Sequence, residues 1–155
     1  MNQEQLSTIA NSIFEAAAFV CPDEWVTPAH GTPTATTDAQ TGAIVRFHGA
    51  ANGWLLVAVH GDIETDIAAN MLGRERVDTS DTTKEAIKEI ANMICGRLMF
   101  DLGDHDRVVC EPPQWLESEL QAAVQSGEVT GWARAYFDNG TADIVLSRTD
   151  LEAAL

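Results

Sequence analysis

Apolar residues recur along the chain at two spacings, three-to-four and two, and their order lays out the elements. Leu6, Ile9, Ile13 and Ala17 repeat at helical spacing, which predicts a first helix over about Gln3 to Val20. The run from Thr27 to Thr37 is rich in turn formers and poor in apolar residues, so a long loop is expected across 28–42. Ala43–His48 and Trp54–His60 read as strands, joined by a hairpin whose turn is signalled by Asn52-Gly53. The second of these is apolar on both faces and belongs in the middle of a sheet. Ile63, Ile67 and Met71 predict a short helix, with Asp62 as its N-cap and Gly73 as its stop. A longer helix follows to about Asp101, with Gly103 ending it and Thr82 and Glu85 at capping-box spacing. Beyond it come a strand at Arg107–Cys110, a helix at Trp115–Val124, and strands at Val129–Phe137 and Thr141–Leu146. The last two flank a hairpin signal, Asp138-Asn139-Gly140. Strands joined by hairpins, with helices before and between them, predict an α+β fold in which helices cover one face of an antiparallel sheet.

The longer helix is the most informative element. At about 100° per residue, Ile87, Ile90, Ala91, Ile94 and Leu98 form one apolar stripe. Glu85, Glu89, Asn92 and Gly96 share the opposite side, so an acid, an amide and a bare stretch of backbone lie together on one surface. A solvated face would also look like this. Glycine inside an exposed helix costs about 0.8–1 kcal/mol relative to alanine. Close approach of another surface would compensate, as would a packing contact within the fold. If the capping box forms, it occupies Glu85 and leaves Glu89 as the acid available to a partner.

Glu89-Ile90-Ala91-Asn92-Met93-Ile94-Cys95-Gly96 resembles the Glu-x-x-Asn-x-x-x-Gly signature of the CheX/CheC family of chemotaxis phosphatases. Ile67-Ala68-Ala69-Asn70-Met71-Leu72-Gly73 is similar to the short helix before that signature, and Val108-Val109-Cys110-Glu111-Pro112-Pro113 to the strand and proline turn after it. Neither the first helix nor residues 115–125 carries a second Glu-x-x-Asn, so the resemblance is to the single-site, CheX-like kind, as one domain over residues 1–155. It implies a CheC-like/CheX-like fold and a phosphatase acting on a phosphorylated CheY-like response regulator, with a homodimeric assembly. Asn92 would orient water, and Glu89 would pair with the regulator's lysine. The surface expected to meet the partner comprises Glu89, Gly96, Lys88 and Met99. No cofactor of the chain's own is implied, because Mg²⁺ would come with the regulator.

Composition narrows the alternatives. The 155 residues, 45% of them hydrophobic, suffice for one substantial core. A net charge of −15 and a pI near 4.3 exclude a duplex-binding surface and disfavour anionic membranes. The N-terminal stretch lacks the basic region of a signal peptide, so a cytoplasmic location is expected. Cys21, Cys95 and Cys110 include no C-x-x-C pair and read as buried thiols.

Other constellations are read as structural. Asp101, Asp104, His105 and Asp106 read as a solvated turn rather than a divalent-ion site, and Asp62, Glu64 and Asp66 as helix-start acids. His30, His48 and His60 lack paired metal spacing, and no hydrolase or phosphate-loop motif is present. Two function classes stay beside the phosphatase. One is a non-catalytic regulator-binding or flagellar-switch-type module of the same fold; the other is a small-ligand sensor. The C-terminal hairpin is the expected free edge for dimerisation.

Overall fold

The computed structural model describes residues 3–27, 41–73, 80–117, 122 and 127–151. In chain order the elements are α1 (Gln3–Ala18), β1 (Glu24–Val26), β2 (Gly42–Gly49), β3 (Ala51–Gly61), α2 (Ile63–Leu72), α3 (Ser80–Asp101), β4 (Val108–Cys110), β5 (Gln114–Leu116), β6 (Gly131–Phe137) and β7 (Gly140–Asp150). The seven strands form one antiparallel sheet in the order β1-β6-β7-β3-β2-β4. β5 shares the outer edge of β2 with β4, pairing with Gly42–Ile44 while β4 pairs with Phe47–Gly49. Among the described residues no helix is long and apolar enough to cross a membrane.

Alternation along the strands sorts the side chains into two clusters. Leu55, Val57 and Val59 of β3, with Val45, Phe47, Ile144 and Leu146, face the three helices and make the main core. Trp54, Leu56, Ile44, Val145, Trp132 and Leu116 form a smaller cluster on the other face. β3 lies between β2 and β7 as its doubly apolar sequence requires.

α3 packs on β2 and β3 and also touches α1 and α2. Its Ile87, Ile90, Ile94 and Leu98 are fully buried, and Ala86, Cys95 and Met99 join them because neighbouring helices widen the covered stripe. Full burial of each large aliphatic side chain contributes about 1.5–3 kcal/mol, so the inner face alone anchors this helix. The outer face is left without a structural task.

Several expectations shift. α1 ends at Ala18 rather than near Val20, because Phe19 takes a left-handed conformation (φ 52°) and the Val20 amide donates to the Phe14 carbonyl at 3.2 Å. The β2–β3 hairpin forms, but its turn centres on Ala50, and Asn52-Gly53 lies inside β3. There the Asn52 side chain accepts from the Gly49 amide at 3.2 Å. A Cβ on Gly53 would collide with the Ser147 carbonyl of β7, so this glycine serves close strand approach instead of a turn.

Asp62 precedes α2 without a side-chain cap; its carbonyl accepts from the Thr65 hydroxyl at 2.8 Å. Gly73 and Gly103 end α2 and α3 with left-handed φ values of 64° and 75°. α3 begins at Ser80, which puts Thr82 inside its first turn and removes the capping box. Trp115 and Leu116 belong to strand β5 and not to a helix; the segments 118–121 and 123–126 lie outside the described residues, as does most of the 28–42 loop with His30. β1 is a strand that three residues with no apolar alternation did not signal.

The C-terminal hairpin is not a free edge. β7 is flanked by β3 and β6, and β6 is itself covered by β1 through Glu24↔Tyr136, Trp25↔Ala135 and Val26↔Arg134.

Candidate site on the outer face of α3

The exposed side of α3 carries Glu85, Glu89, Asn92 and Gly96, as the helical spacing predicts. Glu85 is held by Lys88 Nζ at 3.0 Å. Glu89 and Asn92, one turn apart, make no hydrogen bond or ion pair with any other described residue. An acid and an amide are thus presented to solvent by a helix whose opposite face is locked into the core.

Gly96 lies one turn further along. A Cβ built there meets nothing within 4 Å, so no packing contact within the described fold explains the glycine. Gly96→Ala is therefore expected to stabilise the domain by up to about 1 kcal/mol, raising the melting temperature by roughly 2–4 °C. Thermal unfolding checks this; a lower melting temperature would mean that the position is internally packed.

Two expected members of the partner surface stand differently. Lys88 is partly buried, with its ammonium engaged by Glu85. Met99 is 2% exposed and packs in the core, its sulfur 3.9 Å from Arg148 Nη1, so it has no surface to offer a partner. Its angular position, near the border of the stripe, falls inside once α1 and the sheet close over that flank. The neighbouring Phe100, 61% exposed and stacked near His105 at 5.1 Å, is the apolar group that the last turn presents instead.

In the acidic turn after α3, Asp101, His105 and Asp106 are exposed as expected, and Asp104 alone departs from the solvated reading. Asp104 is buried, and its carboxylate accepts from Arg148 of β7 and, at 2.8 Å, from Arg107. Hydrogen bonds from Arg148, then Arg107, hold its carboxyl below the usual carboxylate range against the opposing effect of burial. This latch fixes the end of α3 to the sheet. The contact with Arg148 lies outside any local pattern, since the two residues are 44 positions apart.

The acids at the start of α2 do not converge. Asp66 accepts from the Asn139 amide of the β6–β7 turn at 2.6 Å, and Asp62 works through its backbone. Among the described residues no group of three or more His, Cys, Asp and Glu side chains is placed to hold a metal ion. Of the cysteines, Cys21 is exposed, contrary to expectation, whereas Cys95 is buried and Cys110 half-buried.

Comparison with known proteins places the fold. A chain of the CheX–CheY–BeF3–Mg²⁺ complex from Borrelia burgdorferi is similar with a TM-score of 0.72 at 18% identity, over 94% of this chain and 96% of that one. The chemotaxis protein CheX from Vibrio vulnificus gives 0.68 at 14% identity, over 94% and 95%. The similarity extends to FliY from Thermotoga maritima, with 0.52 at 13% identity over 94% and 89%. At these identities the likeness is one of fold. No curated protein sequence matches the chain. The family profile described as "Chemotaxis phosphatase CheX" matches residues 41–133, a span that runs from β2 through α3 and its Glu-x-x-Asn-x-x-x-Gly face into β6. With more than half of its length in that match, the chain belongs to the CheX family.

Proposed function

We propose that the chain is a phosphatase of a phosphorylated CheY-like response regulator, and that the outer face of α3 is where the regulator docks. The observation that carries this is the pairing of Glu89 and Asn92 on an exposed helix face, neither of them engaged by another described residue. Family membership supports it. In this reading the aspartyl phosphate, its Mg²⁺ and a lysine belong to the regulator, and the chain contributes an oriented water. Phosphoryl transfer responds chiefly to positioning and electrostatics, so one well-placed amide is enough. The Asn92 carbonyl oxygen accepts from water and aims it along the line of the scissile bond. Glu89 pairs with the regulator's lysine and sets the register, while Gly96 leaves room for the partner's backbone.

The test is decay of a phosphorylated CheY-like regulator with a substoichiometric amount of this protein. Multiple turnovers are expected; decay unchanged, or altered only at stoichiometric ratios, would overturn catalysis. The second outcome would favour a non-catalytic binding or flagellar-switch-type module, a reading to which the FliY-like fold lends support. A regulator as substrate implies a cytoplasmic site of action. A homodimer belongs to the same proposal, through the short strands β1 or β4–β5 rather than the C-terminal hairpin. Sedimentation showing only the 16.7 kDa monomer at micromolar concentration would remove it.

A further inference from the structure

We infer that Cys95 and Cys110 form a reversible dithiol–disulfide pair, oxidised by a peroxide, that clamps α3 to strand β4. Their sulfurs are 3.7 Å apart, in contact across the helix–sheet interface. A disulfide requires about 2.05 Å between sulfurs, and the remaining gap is of the size that modest side-chain rotation at two cysteines closes. Cys95 is fully buried, one residue before Gly96 and three after Asn92. Cys110 sits half-buried at the end of β4, on the outer edge of the sheet, where a small oxidant reaches it.

The two thiols are chemically unequal. The hydrogen bond to Cys110, together with burial, pushes the Cys95 thiol up, whereas the same contact brings Cys110 down to about 7. Cys110, the sulfur that a small oxidant can reach at the sheet edge, is therefore the nucleophile, and the fully buried Cys95 is the resolving thiol. In the first step the Cys110 thiolate attacks hydrogen peroxide. A sulfur–oxygen bond forms, the oxygen–oxygen bond breaks, and hydroxide leaves to take up a proton as water. The Cys95 sulfur then attacks the sulfur of this sulfenic acid. The disulfide forms as the sulfur–oxygen bond breaks, and the thiol proton departs with the oxygen as a second water. Two thiols and one peroxide thus give one disulfide and two waters. A small thiol such as dithiothreitol reverses the change by exchange. This inference stands apart from the phosphatase reading, since neither sulfur belongs to the exposed face.

The experiment treats the reduced full chain with hydrogen peroxide, alkylates the remaining thiols after unfolding, and digests with trypsin without reduction. The expected product joins the peptides Glu89–Arg97 and Val108–Arg134, and dithiothreitol separates them. The linked protein is expected to melt about 5–10 °C above the reduced form, as a cross-link spanning 15 positions should. In Cys95→Ala, Cys110 should stop at a sulfenic acid captured by dimedone. Three results in the wild-type chain would overturn the pair: Cys110 left fully alkylatable, Cys110 oxidised without a link to Cys95, or a link made instead through the peptide Met1–Arg46 that holds Cys21.

Discussion

Asn92→Ala is expected to lower the rate of regulator dephosphorylation by about 100-fold or more, the loss typical when a single positioned hydrogen-bonding group is removed from a reacting centre. The domain should fold as before, because Asn92 is exposed and makes no contact that the fold relies on among the described residues. Binding of the regulator should change little, so the effect appears in turnover rather than in affinity. Asn92→Asp should fail as well, since a carboxylate would face phosphate oxygens of like charge. Glu89→Ala is expected to act differently, weakening association with a phosphate-mimic complex of the regulator while folding is kept. Decay assays and titrations on the three variants separate the roles. Substantial turnover by Asn92→Ala would remove the water-positioning assignment, and unchanged affinity in Glu89→Ala would remove the docking one.

Asp104→Ala is expected to cost about 2 kcal/mol of stability near neutral pH, because it removes the charge-assisted hydrogen bonds from Arg148 and Arg107 and leaves Arg148 only its ion pair with the exposed Asp150. The melting temperature should fall by roughly 4–8 °C. The pH dependence has a definite sign. Arg148 and Arg107 depress the folded-state pKa of Asp104 below its ordinary value of 3.8. Its contribution is therefore fully present above that value and is lost as pH falls through the depressed folded-state pKa. Wild type and variant should differ most at pH 5 and above, and converge in strong acid. Denaturant unfolding of both proteins across that range checks the expectation. A gap that persists undiminished at the lowest pH would show that the carboxylate's charge is not what holds the end of α3.

Much of this molecule is legible in the sequence wherever the signal is local. α3 declares itself through Ile87, Ile90, Ala91, Ile94 and Leu98, whose spacing assigns the inner face and, by subtraction, the exposed Glu89, Asn92 and Gly96. The β6–β7 hairpin is read correctly from Asp138-Asn139 because a two-residue turn carries its own chemistry, and Phe137↔Gly140 closes it. The same dipeptide logic misplaces the β2–β3 turn. Spacing alone assigns Asn52 and Gly53 to neither role: one accepts a hydrogen bond from Gly49, the other clears the path of β7. A turn signal and a close-approach glycine look identical in one dimension.

The sequence by itself determined the three helices and the long strands, though not β1 or β5, together with the free face of α3 and the central strand, because hydrophobic spacing depends only on near neighbours along the chain. Tertiary structure alone decided that Asp104 is a buried latch to Arg148 and not a solvated acid, and that Met99 belongs to the core and not to the docking face. It also decided that Cys95 touches Cys110 and that β1 covers the edge of the C-terminal hairpin. Each of these is set by which distant surfaces meet. Burial, counter-ions and strand neighbours come from segments far apart in the chain, and no local period encodes their encounter.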